Sequence, residues 1–407
     1  MPAALSHIKV LDLSRVLAGP WSGQVLADLG ADVVKVERPG VGDDTRAWGP
    51  PYLKDRHGQD TRESAYFLSA NRGKKSVSID ISQAEGQELV RQLAAQSDIL
   101  LENYKVGALK KYGLDYASLR AINPRLIYCS ITGFGQDGPD AQRAGYDFMI
   151  QGMGGLMSIT GAPGTDPGAG PVKVGVAVTD VMTGMYATVG VLAALAQRER
   201  TGVGQHIDLA LLDVQVAMLA NQASNYLVGN QVPGQLGNAH PNIVPYQAFA
   251  SADGHLILAV GNDRQFGSFC AVAGHPEWAT CERFVTNAAR VAHRAELTPL
   301  IEAQLRSRTT VEWLAQLEAV GVPCGPINTI DKVFAEPQVR HRKMAIELPH
   351  ALADGVPMVA SPLRMSASMP ACTRAAPLLG EHTREILRER LQLDAASIDR
   401  LQAQGII

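Results

Sequence analysis

Short apolar, β-branched runs alternate with amphipathic stretches through the first 135 or so residues of the chain. Residues 8–14, 31–37, 76–81, 98–103 and 125–133 read as strands, since brief apolar runs bounded by turn signals suit strands buried on both faces. Between them, residues 21–29 after Pro20 and a stretch ending at Gln96 carry helical spacing. Ser82-Gln83-Ala84-Glu85 has the Ser-x-x-Glu form of a capping box and predicts where the second of these helices starts. Strands alternating with helices predict parallel βα units, and so a doubly wound α/β sheet. Ligands of such sheets bind at the carboxyl ends of the strands. That singles out Val16 and Leu17, Arg38, Asn103 with Tyr104, and the loop after Gly133.

From residue 145 to 170 the chain is glycine-rich and is expected to be a loop ahead of one long helix over about 179–198. The Pro-, Gly- and Asn-rich segment VPGQLGNAHPNIVPYQ, just after Gly229, predicts a domain boundary. Beyond it, two alternating runs about Ala252-Asp253-Gly254 predict a hairpin, and residues 322–329 a returning strand. The expected organisation is a large domain begun by residues 1–228, a small α+β domain over 229–328, and a return to the large domain over 329–407.

Composition narrows the function classes. With 407 residues, 46% hydrophobic and 19% charged, the chain can bury a large core. Thirty-seven basic against 40 acidic side chains, a net charge of −3, leave no basic footprint for nucleic acid. No uninterrupted apolar run reaches the 18 or so residues of a membrane span, and no signal-peptide core is evident, so a cytoplasmic enzyme without a membrane partner is expected. Cys129, Cys270, Cys281, Cys324 and Cys372 form no CxxC pair and are expected to be buried thiols rather than disulfides or metal ligands. HExxH and GxSxG are missing and the histidines lack ligand spacing, so no metal site is expected. Gly133-Phe-Gly135-Gln-Asp-Gly138 matches GxGxxG, but it runs into Pro139-Asp140 and has no acidic residue some 20 positions on, which speaks against a dinucleotide fingerprint.

Asp180 stands at the start of the long, otherwise apolar helix. It can be a first-turn aspartate that satisfies free N–H groups and the helix dipole. It can equally be a carboxylate nucleophile in a partly dry pocket, kept anionic by the same helix end. Position alone leaves both open.

Several motifs do carry a resemblance: Arg15-Val16-Leu17-Ala18-Gly19-Pro20, the run from Asp28 to Arg38-Pro39, Gly42-Asp43-Asp44-Thr45-Arg46, Glu102-Asn103-Tyr104, Gly133-Phe-Gly135-Gln, Thr179-Asp180, Gly202-x-Gly204-Gln205 and Leu378-Leu-Gly-Glu381-His382. In this order, from about residue 7 to the C-terminus, they resemble the class III CoA-transferases, the formyl-CoA transferase or CaiB/BaiF family. VERPGVGDDTRAWGPP, YCSITGFGQDGP and AHPNIVPYQAF are most similar to its succinyl-CoA:glutarate type.

The resemblance implies a Rossmann-like large domain and an interlocked homodimer. It implies transfer of CoA from an acyl-CoA thioester to a free carboxylate, succinyl-CoA and a dicarboxylate being the leading pair. Asp180 matches the aspartate that forms, in turn, a mixed anhydride and a CoA thioester. Coenzyme A enters as a thioester substrate, and no permanently bound cofactor is expected. Val16, Leu17, Arg38, Ile79, Asn103, Tyr104, Lys111 and Tyr146 match its binding positions, with Arg38 and Lys111 on phosphate and Ile79 against adenine. Leu17 departs from the glutamine of the formyl-CoA enzymes. Gly152, Gly154, Gly155 and Gly261 are candidate oxyanion donors, and Arg46 and Arg143 candidate partners for a second substrate carboxylate. Two alternatives share the fold: an α-methylacyl-CoA racemase, which needs a histidine where this chain has Gly145-Tyr146-Asp147, and a CoA-binding protein without catalysis.

Overall fold

The structure, a computed structural model, describes residues 3–164, 166, 168–370 and 373–407. Six parallel strands form its main sheet: β1 (Lys9–Asp12), β2 (Asp32–Glu37), β3 (Lys75–Ser78), β4 (Ile99–Glu102), β5 (Ile127–Thr132) and β6 (His206–Ala210). They lie in the order β3-β2-β1-β4-β5-β6. The order reverses between β1 and β4, which opens a crevice at their carboxyl ends.

Side chains along each strand alternate between two cores. Leu11, Val34, Val36, Val77, Leu100 and Tyr128 face one side, against Leu89, Val90 and Leu93 of the helix Ala84–Ala95. Val10, Val33, Ile99, Leu101, Ile127 and Ile131 face the other, against α1 (Ala18–Asp28) and the long helix Val178–Thr201. The C-terminal helices Thr383–Leu391 and Ala395–Ala403 bury Ile386, Leu387, Ile398 and Leu401 in the first core. The end of the chain thus completes the large sheet, and His382 N–H donates to Ser76 O at its edge (2.9 Å).

The chain divides into two compact units. One comprises Met1–Gly155, Val174–Ala223 and Pro337–Ile407, the other Leu156–Lys173 and Ser224–Glu336. The second holds a three-stranded antiparallel sheet in the order Cys324–Pro326, His255–Ala259, Tyr246–Ala250, the last two joined as the expected hairpin. Its own core gathers Phe249, Leu256, Leu258, Phe266, Phe269 and Trp313.

Three local expectations change. The glycine-rich stretch is not all loop, since it contains α2 (Asp147–Met153) and the turn of helix Leu156–Ile159. Gly154 is there for packing: a Cβ would stand 2.3 Å from Gln215 Cγ. The Ser82 capping box does not form, because Ser82 N and Oγ both bond Asp80 Oδ1 (2.9 and 2.7 Å) and Gln83 becomes the N-cap. Cys129 and Cys270 are buried free thiols, Cys281 and Cys324 are half-buried, and Cys372 lies outside the described residues.

The helix Val178–Thr201, called α3 from this point, is long and apolar enough to cross a membrane by length and composition, which sequence inspection had not suggested. Its Thr183, Gly184, Ala187, Val191 and Ala194 are buried, as in the core helix of a globular sheet protein. Gly184 lets it touch α1, where a Cβ would meet Ala18 O at 2.6 Å.

Charges are buried where β1 and β2 end. Lys35 Nζ, fully buried, pairs with Asp43 Oδ2 (2.9 Å) and donates to Ser14 O (2.7 Å). Lys74 Nζ, also fully buried, pairs with Asp12 Oδ2 (2.9 Å) and donates to Pro20 O and Asn71 Oδ1 (2.8 and 2.9 Å). Burial opposes the charge on Asp43, yet Lys35 and the Thr45 hydrogen bonds hold its pKa down to about 2. Burial brings the Lys74 ammonium down to about 8 in spite of Asp12. Removing one partner of such a pair strands the other in a dry interior. Lys35→Met should therefore lower unfolding stability by about 3–5 kcal/mol in urea titration, and a loss below about 1 kcal/mol would show the pair to be solvated.

Candidate active site

The strand ends frame two adjoining cavities. The first, about 200 Å³, is lined by Arg15, Val16, Leu17, Asn103, Tyr104, Gly133, Arg143, Tyr146 and Asp180 among others. The second, about 460 Å³, is lined by Leu13, Arg38, Gly42, Ile79, Ser82, Lys111 and Tyr112 among others. Arg15, Asp44 and Tyr104 border both, so the two form one cleft along the carboxyl edge of the sheet. The structure thus brings Asp180 and the eight expected CoA-binding residues to this edge, in two groups.

Val16 has φ 70°, a left-handed conformation costly for a β-branched residue. It is held there because its N–H donates to both carboxylate oxygens of Asp43 (3.2 and 3.3 Å), whose own position is set by Lys35. Leu17 follows as the N-cap of α1, and its apolar side chain makes no cap bond. Asn103 clasps the same loop from β4: its Oδ1 accepts from Arg15 N (2.8 Å) and its Nδ2 donates to Arg15 O (2.7 Å). Both of its polar atoms are thereby used to shape the loop. Arg15 extends across the cleft, paired with Asp44 (3.0 Å) and 5.5 Å from the Tyr104 ring centroid. Tyr104 N–H donates to Glu102 (2.8 Å), whose carboxyl is pushed up to about 7 by burial.

In the wider cavity Arg38 is exposed just past β2. Ile79 is only 1% exposed, forming the floor as part of the first core. Lys111 Nζ lies 4.6 Å from the Tyr112 ring centroid. An apolar floor between two cations at a sheet edge suits a base with phosphates.

Asp180 is the third residue of α3 and faces the narrower cavity. It lies in the first turn of α3 as expected, but the N–H groups of Thr179 and Asp180 there donate to Asp147 rather than to Asp180 itself. It is partly buried, and among the described residues no ion pair holds it. Desolvation, and then the negative charge of Asp147, push its pKa up to about 7. Tyr66, packed edge-on against Trp48 at 5.1 Å, has its phenol pushed up to about 12 by desolvation and by the charges of Asp180, Asp147 and Asp43. Tyr146 is 65% exposed at the mouth of this cavity.

The two arginines part company. Arg46 is spent inside the protein: it grips Glu37 with Nε and Nη2 (both 2.8 Å), Glu63 with Nη1 (2.9 Å) and Pro377 O (3.0 Å), and lies 3.7 Å over Phe67. It is unavailable to a substrate. Arg143 lines the Asp180 cavity, its partner Asp140 (3.0 Å) being exposed and easily exchanged. Gly154 and Gly155 give their N–H groups to Ile150 O (2.7 Å) and Gly152 O (3.4 Å), and Gly261 gives its own to Gln265 (2.8 Å). They are therefore not free oxyanion donors. Arg15, Asp43, Tyr66 and Asp147 were missed as site residues.

Comparison with known proteins gives the family. The profile of CoA-transferase family III matches residues 5–383. The succinate–glutarate CoA-transferase of Agrobacterium fabrum is 51% identical over 385 residues, 95% of each chain. The succinyl-CoA:glutarate CoA-transferase of Mus musculus is 44% identical over 403 residues, 99% of this chain and 90% of the mouse protein. A crystal structure of a CaiB/BaiF family protein from Brucella suis superimposes with a TM-score of 0.83 at 51% identity, covering 96% of this chain and all of that one. Matches that run nearly the full length of the chain place it in CoA-transferase family III.

Proposed function

We propose that the protein moves CoA from succinyl-CoA to glutarate or a similar dicarboxylate, with Asp180 as the covalent relay. The single observation behind the mechanism is the position of Asp180, a half-dry carboxylate at a helix N-terminus opening on the cleft. The choice of acids follows from the named reactions of the relatives.

The adenine nucleotide occupies the cavity of Arg38, Ile79 and Lys111, and the pantetheine arm passes Tyr104 and Arg15 to reach Asp180. A carboxylate oxygen of Asp180 attacks the thioester carbonyl. The C–S bond breaks, CoA leaves as thiolate, and a succinyl–aspartyl anhydride remains. The thiolate attacks the aspartyl carbonyl, succinate departs, and Asp180 carries CoA as a thioester. The incoming carboxylate attacks that thioester, again expelling the thiolate and forming a second anhydride. Attack of the thiolate on the new acyl carbonyl yields the product thioester and frees Asp180. No water, oxidant or reductant enters, and water must be kept from the anhydrides. Arg143, in the same cavity, is the cation available to the distal carboxylate.

The reading extends to a homodimer of interlocked chains. It is supported by the exposed apolar side chains Phe148 and Met153 on α2 and Met185, Tyr186 and Val189 on α3, and by a large unit built from three separate segments.

Four outcomes are expected. Mixing with succinyl-CoA should add first a succinyl and then a CoA mass to the intact protein, and Asp180→Ala should show neither and lose transfer by about 10³-fold or more. The rate of adduct formation should rise with pH through about 7 and then level, since only ionised Asp180 attacks. Its folded pKa lies above the unfolded one, so ionisation weakens the fold increasingly between pH 4 and 7. Asp180→Asn should accordingly be more stable than wild type by roughly 1–3 kcal/mol at pH 8 and no more stable near pH 4. Finally, light scattering should give a mass near twice 43.4 kDa, and a monomer at micromolar concentration would contradict the interlocked dimer.

A further inference from the structure

Helix α3 runs for 24 residues, yet its N-cap position is Ala177, which has no side chain able to accept a hydrogen bond. The two N–H groups that an ordinary cap would satisfy point elsewhere. Asp147 Oδ1 accepts from Thr179 N (2.8 Å) and from Asp180 N (3.3 Å). Its other oxygen accepts from Gln151 Nε2 (2.6 Å), and Gln151 Oε1 in turn accepts from Val174 N (2.9 Å) on the approach to α3. Gln151 is fully buried, so this brace is rigid. A second brace comes from Thr179 Oγ1, which donates to the buried Gln215 (2.6 Å) on the helix Leu211–Met218.

Resting on the reading of Asp180 as nucleophile, we propose that Asp147 is a positioning residue that caps α3 from a neighbouring helix and sets the direction and charge environment of Asp180. Three N–H donors meet the Asp147 carboxylate. Two like charges are then held at one helix end. The fixed charge makes Asp180 harder to ionise but, once ionised, a stronger base and nucleophile toward a thioester. A plain N-cap serine would satisfy the same N–H groups without this effect. The other titratable or charged groups around the cavity are Tyr66 from its helix, Arg143 and Tyr146 from the loop after β5, Tyr104 and Lys105 after β4, and Arg15 with Asp44 from the loops after β1 and β2.

Asp147→Asn separates the two functions, because the amide oxygen can still cap while the charge is gone. For Asp147→Asn the pH limb of Asp180 adduct formation, followed by intact mass with succinyl-CoA, should move about one unit toward acid. The plateau rate should fall about 10-fold while the KM for succinyl-CoA stays near wild type. Asp147→Ala should show the same shift, a lower Tm and a larger rate loss. An Asp147→Asn limb and plateau equal to wild type would overturn the proposal and leave Asp147 a cap only. Should the asparagine variant fail to fold, Asp147→Glu decides: a limb kept near wild type supports the charge effect, and a limb in the range of a free aspartate overturns it. If wild type itself never gains an adduct, the underlying assignment of Asp180 fails instead, which is a different result.

Discussion

The buried pair Lys35–Asp43 is the constraint on which the rest of the cleft depends. Lys35 belongs to a strand and cannot move, so it fixes Asp43, and Asp43 fixes the N–H of Val16 in a left-handed turn. That turn directs α1 against the long helix that carries Asp180. It also leaves Arg15 reaching over the crevice between β1 and β4. Buried ion pairs contribute little to net stability, since desolvation offsets most of the attraction. What this one supplies is geometry, a sharp turn at the end of a strand that apolar packing could not specify.

The site itself runs against the stability of the fold. An ionised aspartate in a partly dry position, with a second carboxylate bonded to its own backbone N–H, raises the energy of the folded state at neutral pH. The helix dipole reduces that penalty without removing it. A carboxylate is a weak nucleophile because water solvates it well, and this environment withholds part of that solvation. On the proposed role of Asp180, the destabilisation and the reactivity have the same cause. Around this point the protein is rigid: Gln151 and Gln215 are buried amides that tie three helices together, and Gly133 and Gly145 touch so closely that a Cβ on either would meet the other's Cα within 2.6 Å.

Much of this was legible in the chain. Strands β1 to β5 stand out because parallel strands buried on both faces must be apolar and β-branched, and the residues after them line the cleft because strand direction decides where a strand ends. Other features were hidden. Helix α2 lies in a glycine-rich stretch that local propensity marks as loop; it forms because Gly154 admits Gln215 and because Asp147 finds the free N–H groups of α3. Ser82 carried a capping motif, but Asp80, closer in sequence, captured its hydroxyl. Arg46 and Arg143 look alike as residues, yet one is enclosed by Glu37 and Glu63 and the other opens on Asp180.

By itself, then, the sequence determined strands β1 to β5, the long helix that follows them, and the family to which its motifs point. These depend on near neighbours and on periodicity, which a linear string records. Only the tertiary structure decided which charges face each other. Lys35 meets Asp43, Asn103 clasps Arg15, and Asp147 caps Asp180 across 8, 88 and 33 positions of chain. The strength and direction of such contacts depend on distance and burial, and neither exists until the chain has folded.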